Sequence, residues 1–159
     1  MNIRVGIGYD AHRLVLGRPL ILGGVTVPYE KGLLGHSDAD VLSHALCDAV
    51  LGASSLGDIG RHFPDTDPRW KGADSLMLLR ECVRLATEKG WRVVNVDSIL
   101  VCQKPKLASY LPQMTEKISE AMGIESSCVN VKAKTTEEMG FEGRGEGLSA
   151  QAIVMIRKD

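Results

Sequence analysis

The chain opens with an alternation of apolar and polar positions. Residues 2–8, "NIRVGIG", have the period of two that is typical of a half-buried β-strand, and the pattern predicts a strand there. Residues 19–28, "PLILGGVTVP", are two short apolar runs on either side of Gly23 and Gly24. A glycine pair between such runs predicts a β-hairpin.

The spacing of apolar residues then changes to that of a helix. Positions 41, 42, 45, 46, 49 and 50 are apolar, which predicts a helix over 38–56. Ser37 precedes it and Asp40 follows three residues later, a pattern that indicates a capping box. Similar spacing predicts helices over 73–89, ending at Gly90, and over 107–122. The intervening segment 57–72, "GDIGRHFPDTDPRWKG", is polar and is expected to be a long functional loop.

Three further runs rich in β-branched residues predict the remaining strands, "WRVVNVDSILVC", "CVNVKAK" and "LSAQAIVMIRK". Strands and helices alternate loosely along the chain. This order favours an α/β fold, an α+β sandwich with helices packed on one face of a mixed four-stranded sheet, plus the short hairpin. The 159 residues are interpreted as one domain, 1–159.

Composition narrows the classes of function. The net charge is −1, which argues against nucleic acid or an anionic membrane as partner. The four cysteines form no C-x-x-C pair, so thiolate zinc sites and redox dithiols are disfavoured and a reducing compartment is expected. The N-terminal residues lack the apolar core of a signal peptide, and no apolar run is long enough to span a bilayer. A cytoplasmic protein is therefore expected.

One group of residues has metal-binding chemistry. Asp10 and His12 are two positions apart, so on a strand they point to the same face, at or just past the predicted strand end. His44 lies on the first predicted helix, with Asp48 one turn later. Two imidazoles and a carboxylate suit Zn²⁺ and leave a fourth position open. Alternatively, Asp10 caps a turn, His44 is an ordinary hydrogen-bonded helix residue, and Asp48 is solvated.

Two segments have phosphate-binding chemistry. Residues 134–147, "KTTEEMGFEGRGEG", combine hydroxyls, Arg144 and glycines that let backbone N–H groups approach an anion. The segment matches neither the P-loop nor the dinucleotide-binding pattern, and it could also be a turn-rich hairpin. In "HSDAD", residues 36–40, His36 and Ser37 precede a helix, where an anion is favoured. A plain capping box explains Ser37 but leaves His36 unexplained.

Four motifs together resemble one known family. "GYDAHRL", "GHSDADVLSHALCDAVLGA", "GDIGRHFPDTD" and "KTTEEMGFEGRGEG" occur in order across nearly the whole chain, and they are similar to the 2-C-methyl-D-erythritol 2,4-cyclodiphosphate synthase family. The resemblance implies a ferredoxin-like α/β fold and a homotrimer with active sites between subunits. It also implies conversion of 4-diphosphocytidyl-2-C-methyl-D-erythritol 2-phosphate to the cyclic diphosphate, with release of CMP.

The resemblance also implies roles for individual residues. The zinc ligands would be Asp10, His12 and His44. Glu137 would bind a second divalent cation, Mg²⁺ or Mn²⁺, while His36 and Thr135 would stabilise the transition state. Asp48 is a candidate support for His44. The residues implied to contact substrate are Asp10, His12, His36, Ser37, Asp58, Ile59, Gly60, Phe63, Pro64, Asp65, Thr66, Asp67, Cys102, Gln103, Lys104, Pro105, Lys106, Leu107, Ala108, Lys134, Thr135, Thr136, Glu137, Phe141 and Arg144.

Three residues depart from the family pattern. Lys134 stands where many relatives have threonine, Lys104 replaces a small residue, and Ala108 replaces a larger apolar one. Two other functions are compatible with the same residues. A zinc hydrolase would use Asp48 or Asp58 as the base that activates water. A non-catalytic module would bind cytidine nucleotides or isoprenoid phosphates without turnover.

Overall fold

A computed structural model gives the structure, which describes residues 2–158. The strands are β1 (Ile3–Leu16), β2 (Leu20–Leu22), β3 (Val25–Val27), β4 (Lys31–Leu33), β5 (Arg92–Val101), β6 (Val129–Lys134) and β7 (Gly147–Arg157). The α-helices are α1 (Val41–Ala53), α2 (Ile59–His62), α3 (Ser75–Glu88), α4 (Leu111–Met122) and α5 (Gly140–Gly143). Single 3₁₀ turns cover Pro68–Trp70, Ala108–Tyr110 and Ser126–Cys128.

The main sheet has five strands in the order β4-β1-β7-β5-β6, and β2 and β3 form a separate hairpin. Strands β5 and β6 are parallel, and the other neighbours are antiparallel. The α/β class, the mixed sheet and the hairpin are confirmed. The predicted count of four strands in the sheet is wrong, because β4 was missed. It is only three residues long and pairs with Leu14–Leu16 alone, too short to show a period of two.

Strand β1 is longer than its apolar pattern indicates. It pairs with β7 from Ile3 opposite Arg157 to Arg13 opposite Gly147. The expectation that Asp10 and His12 lie at or just past the end of the strand is therefore wrong, because both lie inside it. The backbone hydrogen bonds of β7 extend the strand past the point where its apolar pattern stops, and no local sequence signal reports that partner.

The three long helices pack on one face of the sheet. That face presents a row of buried β7 residues, from Leu148 to Ile156. Helix α1 lies so close to β1 that a Cβ on Gly6 or Gly8 would fall within 2 Å of the carbonyl oxygens of Ala49 and Ala45, respectively. This close approach places His44 beside Asp10 and His12. The opposite face of β1 leaves Val5 and Ile7 exposed.

Helix α1 begins later than predicted. Ala39 has a left-handed backbone (φ +59°), so the helix starts after it, and Asp40 is the N-cap. The capping box on Ser37 is therefore wrong, and so is the placement of His36 and Ser37 directly at the helix N-terminus. The fully buried Asp40 carboxylate accepts hydrogen bonds from the N–H groups of Gly23, Gly24 and Ser43. Burial raises its pKa.

The other predicted elements are confirmed with small shifts. Helix α3 starts at Ser75, with Asp74 as N-cap, and Gly90 follows it with φ +81°. Helix α4 starts at Leu111 after a 3₁₀ turn. The segment 57–72 contains α2 and a 3₁₀ turn rather than loop alone, because Asp58 and Asp67 cap them. Within residues 2–158, no helix is long and apolar enough to cross a membrane.

Candidate metal and nucleotide site

Three ligand-type atoms meet at one point between β1 and α1. Asp10 Oδ2 lies 2.8 Å from His12 Nε2 and 3.0 Å from His44 Nδ1, and the two nitrogens are 3.1 Å apart. All three residues are partly buried, and they form a possible metal-binding group. The structure therefore brings together the residues that the sequence predicted as one site.

The carboxylate and the imidazoles perturb one another. Burial alone would raise the pKa of Asp10, but its hydrogen bonds to His12 and His44 outweigh burial and hold that pKa far below its usual range. Burial likewise opposes the charged form of His12, and the contact with Asp10 more than compensates, so the pKa of His12 rises. A negative oxygen between two imidazole nitrogens is also an arrangement that binds a divalent cation.

Each imidazole is held through its other nitrogen. His12 Nδ1 lies 2.9 Å from the carbonyl oxygen of Leu34. Since a carbonyl oxygen only accepts, Nδ1 donates and Nε2 is left to face Asp10. His44 Nε2 lies 2.9 Å from Ser75 Oγ and 3.0 Å from Ser37 Oγ. Hydrogen bonds of this kind orient histidines that ligate metals.

A cavity of about 440 Å³ opens beside the three side chains. Its lining includes the predicted zinc ligand His44 and many residues predicted to contact substrate, namely Asp10, His12, His36, Ser37, Ile59, Gly60, Phe63, Pro64 and Asp65. His36 is oriented by a 3.1 Å contact between Nε2 and the carbonyl oxygen of Asp67. Asp58 and Asp67 serve as caps of α2 and the following 3₁₀ turn, and neither Asp58, Thr66 nor Asp67 lines this cavity.

Sequence reasoning missed three lining residues, Gly35, Trp70 and Leu78. Trp70 packs edge-on against Phe63, with ring centroids 5.0 Å apart. Its indole Nε1 is buried and has no hydrogen-bond partner among the described residues. The aromatic residue next to the "FPDTD" motif was the only available signal, and it did not distinguish a cavity wall from a core residue.

Asp48 does not bond to His44. Its carboxylate accepts a 2.7 Å hydrogen bond from the backbone N–H of Ile59. Burial raises the pKa of Asp48, and that hydrogen bond partly offsets the rise. Asp48 therefore fixes Ile59, the first residue of α2, which lines the cavity. The residues that contact His44 Nε2 are Ser37 and Ser75.

The residues predicted for the nucleotide and the second cation, in segments 102–108 and 134–137, form a separate group, here called the nucleotide cluster. The Cys102 N–H donates to the carbonyl oxygen of Lys134, and the Glu138 N–H donates to Gln103 Oε1. Thr135 Oγ1 donates to Glu137 Oε1 at 2.9 Å. Segments 102–108 and 134–137 thus lie side by side. Burial raises the pKa of the Cys102 thiol to about 12, so this cysteine stays protonated at neutral pH.

The metal group, which is Asp10, His12 and His44, lies apart from the nucleotide cluster within one chain. Asp10, Ala150, Leu100 and Ala133 occupy one row across β1, β7, β5 and β6. Three strand spacings separate Asp10 from Ala133, roughly 14 Å. No residue of segments 102–108 or 134–137 lines the cavity beside the metal group. The structure therefore does not assemble all predicted site residues in one place.

Phe141 and Arg144 lie on another side of His12. They line a cavity of about 640 Å³ that also includes Arg13 and Lys31. Arg144 is paired with Glu146, with Nε 2.7 Å from the carboxylate. Of the metal group, only His12 borders both this cavity and the one lined by Asp10 and His44.

Comparison with known proteins identifies the family. The model of the YgbB family matches residues 3–157. The 2-C-methyl-D-erythritol 2,4-cyclodiphosphate synthase of Syntrophobacter fumaroxidans is 60% identical over 99% of each chain. The enzyme of that name from Geobacillus kaustophilus is 61% identical over 98% of each chain.

Solved structures give the same result. A 2C-methyl-D-erythritol-2,4-cyclodiphosphate synthase in its CDP-bound form superposes with a TM-score of 0.88 at 39% identity. The match covers 96% of this chain and 99% of that one. Sequence and structure agree over almost the full length, and the chain belongs to the YgbB family, that of the 2-C-methyl-D-erythritol 2,4-cyclodiphosphate synthases.

Proposed function

We propose that the chain converts 4-diphosphocytidyl-2-C-methyl-D-erythritol 2-phosphate to 2-C-methyl-D-erythritol 2,4-cyclodiphosphate and CMP, a phosphorus–oxygen lyase reaction of isoprenoid biosynthesis. An oxygen of the 2-phosphate attacks the β-phosphorus, a new P–O–P bond closes the ring, and the bond to the CMP oxygen breaks. The observation that carries the proposal is the Asp10–His12–His44 group at a substrate-sized cavity, in a chain whose full-length relatives carry that enzyme's name.

Asp10, His12 and His44 would hold Zn²⁺. Two imidazole nitrogens and one carboxylate oxygen fit zinc better than Mg²⁺, and three protein ligands leave a position for substrate. The Leu34 carbonyl already orients His12 so that Nε2 faces the other two ligands. When bound, the ion would supply Lewis acidity toward a phosphate oxygen.

Glu137 would hold the second cation. A hard carboxylate oxygen suits Mg²⁺ or Mn²⁺, which take their remaining ligands from substrate phosphates and water and would help neutralise the diphosphate. Glu137 has a left-handed backbone (φ +52°) and accepts a hydrogen bond from Thr135. The Thr135 hydroxyl has a single proton, so to donate to a phosphate oxygen, as we propose, it would turn away from Glu137 and leave that carboxylate to the cation.

The remaining residues bind and orient substrate. Asp48 accepts a hydrogen bond from the Ile59 N–H, and Ile59 and Gly60, the first residues of α2, line the cavity. They would bind the methylerythritol hydroxyls, while His36 would donate to a phosphate oxygen as charge moves. Bringing both phosphates of one molecule together in this cavity supplies the proximity that the ring closure requires.

The cytidine would lie against the nucleotide cluster. Cys102 and Gln103 lie at the end of β5 and contact the segment that contains Glu137. The protonated Cys102 thiol adds no charge to this cluster. Lys134, exposed at the end of β6, adds a positive charge where the diphosphate would pass. A solved relative in a CDP-bound form supports a cytidine nucleotide as ligand.

We further propose that the protein is a homotrimer whose active sites lie between subunits. The roughly 14 Å from Asp10 to Ala133, the residue before segment 134–137, supports a site built from two chains. The sheet face opposite the helices has exposed Val5, Ile7, Tyr9 and Ile153, with Ile7 69% exposed. An apolar face of this kind suits burial against further copies of the same chain.

Product analysis tests the proposal. The purified protein with Zn²⁺ and Mg²⁺ is incubated with the cytidyl substrate, and products are separated by mass spectrometry. We expect CMP and the cyclic diphosphate in equal amounts. A linear phosphate would instead identify a hydrolase, and binding of cytidine nucleotides without turnover would identify a non-catalytic module. Either result would contradict the proposed function.

A further inference from the structure

A chain of hydrogen bonds leads from His44 away from the cavity and into the protein. His44 Nε2 contacts Ser75 Oγ, and Ser75 Oγ in turn donates to Asp38 Oδ1. Ser75 is fully buried at the first residue of α3, whereas His44 lies on α1. The three residues therefore connect the ligand helix to the start of a neighbouring helix.

The Asp38 carboxylate is held in place independently of His44. Its Oδ1 also accepts from the backbone N–H of Asp40, and its Oδ2 accepts from the backbone N–H of Ser75, each at 3.1 Å. The Asp38 N–H donates to the carbonyl oxygen of Ala73. Three donors and an anchored backbone fix the position of this carboxylate relative to α3.

The direction of each hydrogen bond follows from the groups involved. A carboxylate only accepts, so Ser75 spends its single hydroxyl proton on Asp38. The lone pairs of Ser75 Oγ then face His44 Nε2, which must donate. Ser37 Oγ, which lies 3.0 Å from the same nitrogen, already accepts from the Ala39 N–H. With its proton on Nε2, a neutral His44 presents the Nδ1 lone pair to Asp10 and His12.

We propose that Asp38 and Ser75 are positioning residues that fix the tautomer and orientation of His44 and thereby strengthen metal binding. The inference rests on the proposed zinc site. For His12, the Leu34 carbonyl does the same through the backbone, so the Asp38–Ser75 pair is the side-chain counterpart on the other imidazole. We call the hydrogen-bonded chain Asp38–Ser75–His44 the relay. Asp48, the acid one turn after His44, bonds to Ile59 and is not part of it.

Zinc affinity tests the relay without reference to turnover. The dissociation constant is measured by competition with a chromogenic chelator for wild type, Ser75→Ala and Asp38→Asn. We expect both variants to bind zinc about 10–100-fold more weakly. Ser54→Ala is the matched control, because Ser54 is also a buried helix-end serine, and its hydroxyl donates to the Val50 carbonyl oxygen. That control should lose a buried hydrogen bond and keep the wild-type zinc affinity.

The outcomes separate the relay from the proposed function. Wild-type protein that retains no zinc would contradict both. Zinc held equally tightly by wild type and folded Ser75→Ala would contradict the relay alone. Should the variants not fold, the zinc-loaded wild type decides by NMR. A His44 Nε2 proton protected from solvent exchange supports the hydrogen bond to Ser75, and one that exchanges as in a free imidazole contradicts it.

Discussion

At the scale of single residues, both histidines of the metal group have one nitrogen occupied by the protein and the other facing Asp10. Their orientation therefore does not depend on substrate, and the site is formed before substrate binds. Glu137, by contrast, lies in an exposed segment where its side chain contacts Thr135, so its cation would depend on substrate phosphates for further ligands.

Removal of one imidazole should remove the metal. His44→Ala is expected to lose zinc and activity together and to keep its fold, because His44 is a ligand and only partly buried. Elemental analysis should give about one zinc per wild-type chain and well below that in the variant. His62→Ala is the control, since His62 contacts the Leu56 carbonyl outside the metal group. Full zinc occupancy in His44→Ala would refute the assignment.

The second cation should respond to a different carboxylate. Glu137→Gln keeps the size of the side chain but removes its charge, so we expect unchanged zinc content, a lower kcat and a requirement for more Mg²⁺ or Mn²⁺. Glu138→Gln is the matched control, because the Glu138 backbone contacts Gln103. Metal titrations in which Glu138→Gln shifts and Glu137→Gln overlays wild type would show that the wrong carboxylate was chosen.

The extent to which such residues can be predicted depends on sequence separation. Asp10 and His12 share a face by the two-residue period of a strand, which a single sequence displays. The contact of His44 with Ser75 joins positions 31 residues apart, and no local pattern encodes it. Asp48 was predicted to support His44 because one helical turn separates them, yet the backbone of Ile59 takes its carboxylate.

At the scale of elements, the site depends on how closely α1 lies on β1. The strand presents Gly8 to the helix, two residues before Asp10, and a Cβ there would lie 1.8 Å from the Ala45 carbonyl oxygen. A larger residue must push α1 away from β1 and move His44 away from Asp10. The packing of the two elements and the geometry of the metal group are thus one structural feature.

Gly8→Ala should therefore lower stability and zinc affinity together. The clash is with backbone, so we expect a loss of about 3 kcal/mol in the free energy of unfolding, the upper end of the usual cost of overpacking. Gly52→Ala is the control, because a Cβ on this α1 residue would meet nothing within 4 Å. It should raise stability by about 0.5–1 kcal/mol. Urea denaturation gives both values, and equal stability of Gly8→Ala and wild type would contradict the packing.

Helices were easier to predict from this sequence than strand limits. The apolar spacing over 41–50 identifies α1 because its buried face repeats within a single element. The end of β1 and the existence of β4 depend on pairing with strands far away in sequence. The start of α1 was misplaced because Ala39 adopts a left-handed backbone, a conformation that its residue type does not indicate.

At the scale of the whole molecule, the metal group and the nucleotide cluster lie at separate places on one sheet. The resemblance to the family assigns both sets of residues and implies active sites between subunits, but which residues lie apart within one chain is visible only in the three-dimensional structure. We propose that a second chain brings a nucleotide cluster to each metal group. Each chain of a closed trimer would then contribute to two active sites.

Mixing two inactive variants tests this arrangement. His12→Ala damages the metal group, and the triple variant Lys134→Ala, Thr135→Ala, Glu137→Ala damages the other cluster. After subunit exchange, about a quarter of the sites in an equal mixture would combine two intact halves, and activity should recover to that extent. Verified mixed trimers without any recovery would show that each site lies within a single chain.

The central claim is that a phosphate of the substrate, and not water, attacks the diphosphate. The most direct measurement is turnover of the cytidyl substrate in H₂¹⁸O, followed by mass spectrometry of both products. Ring closure uses only oxygens that the substrate already contains, so we predict cyclic diphosphate and CMP without solvent ¹⁸O. A product that carries one solvent oxygen would mean that water is the nucleophile and would contradict the proposed function.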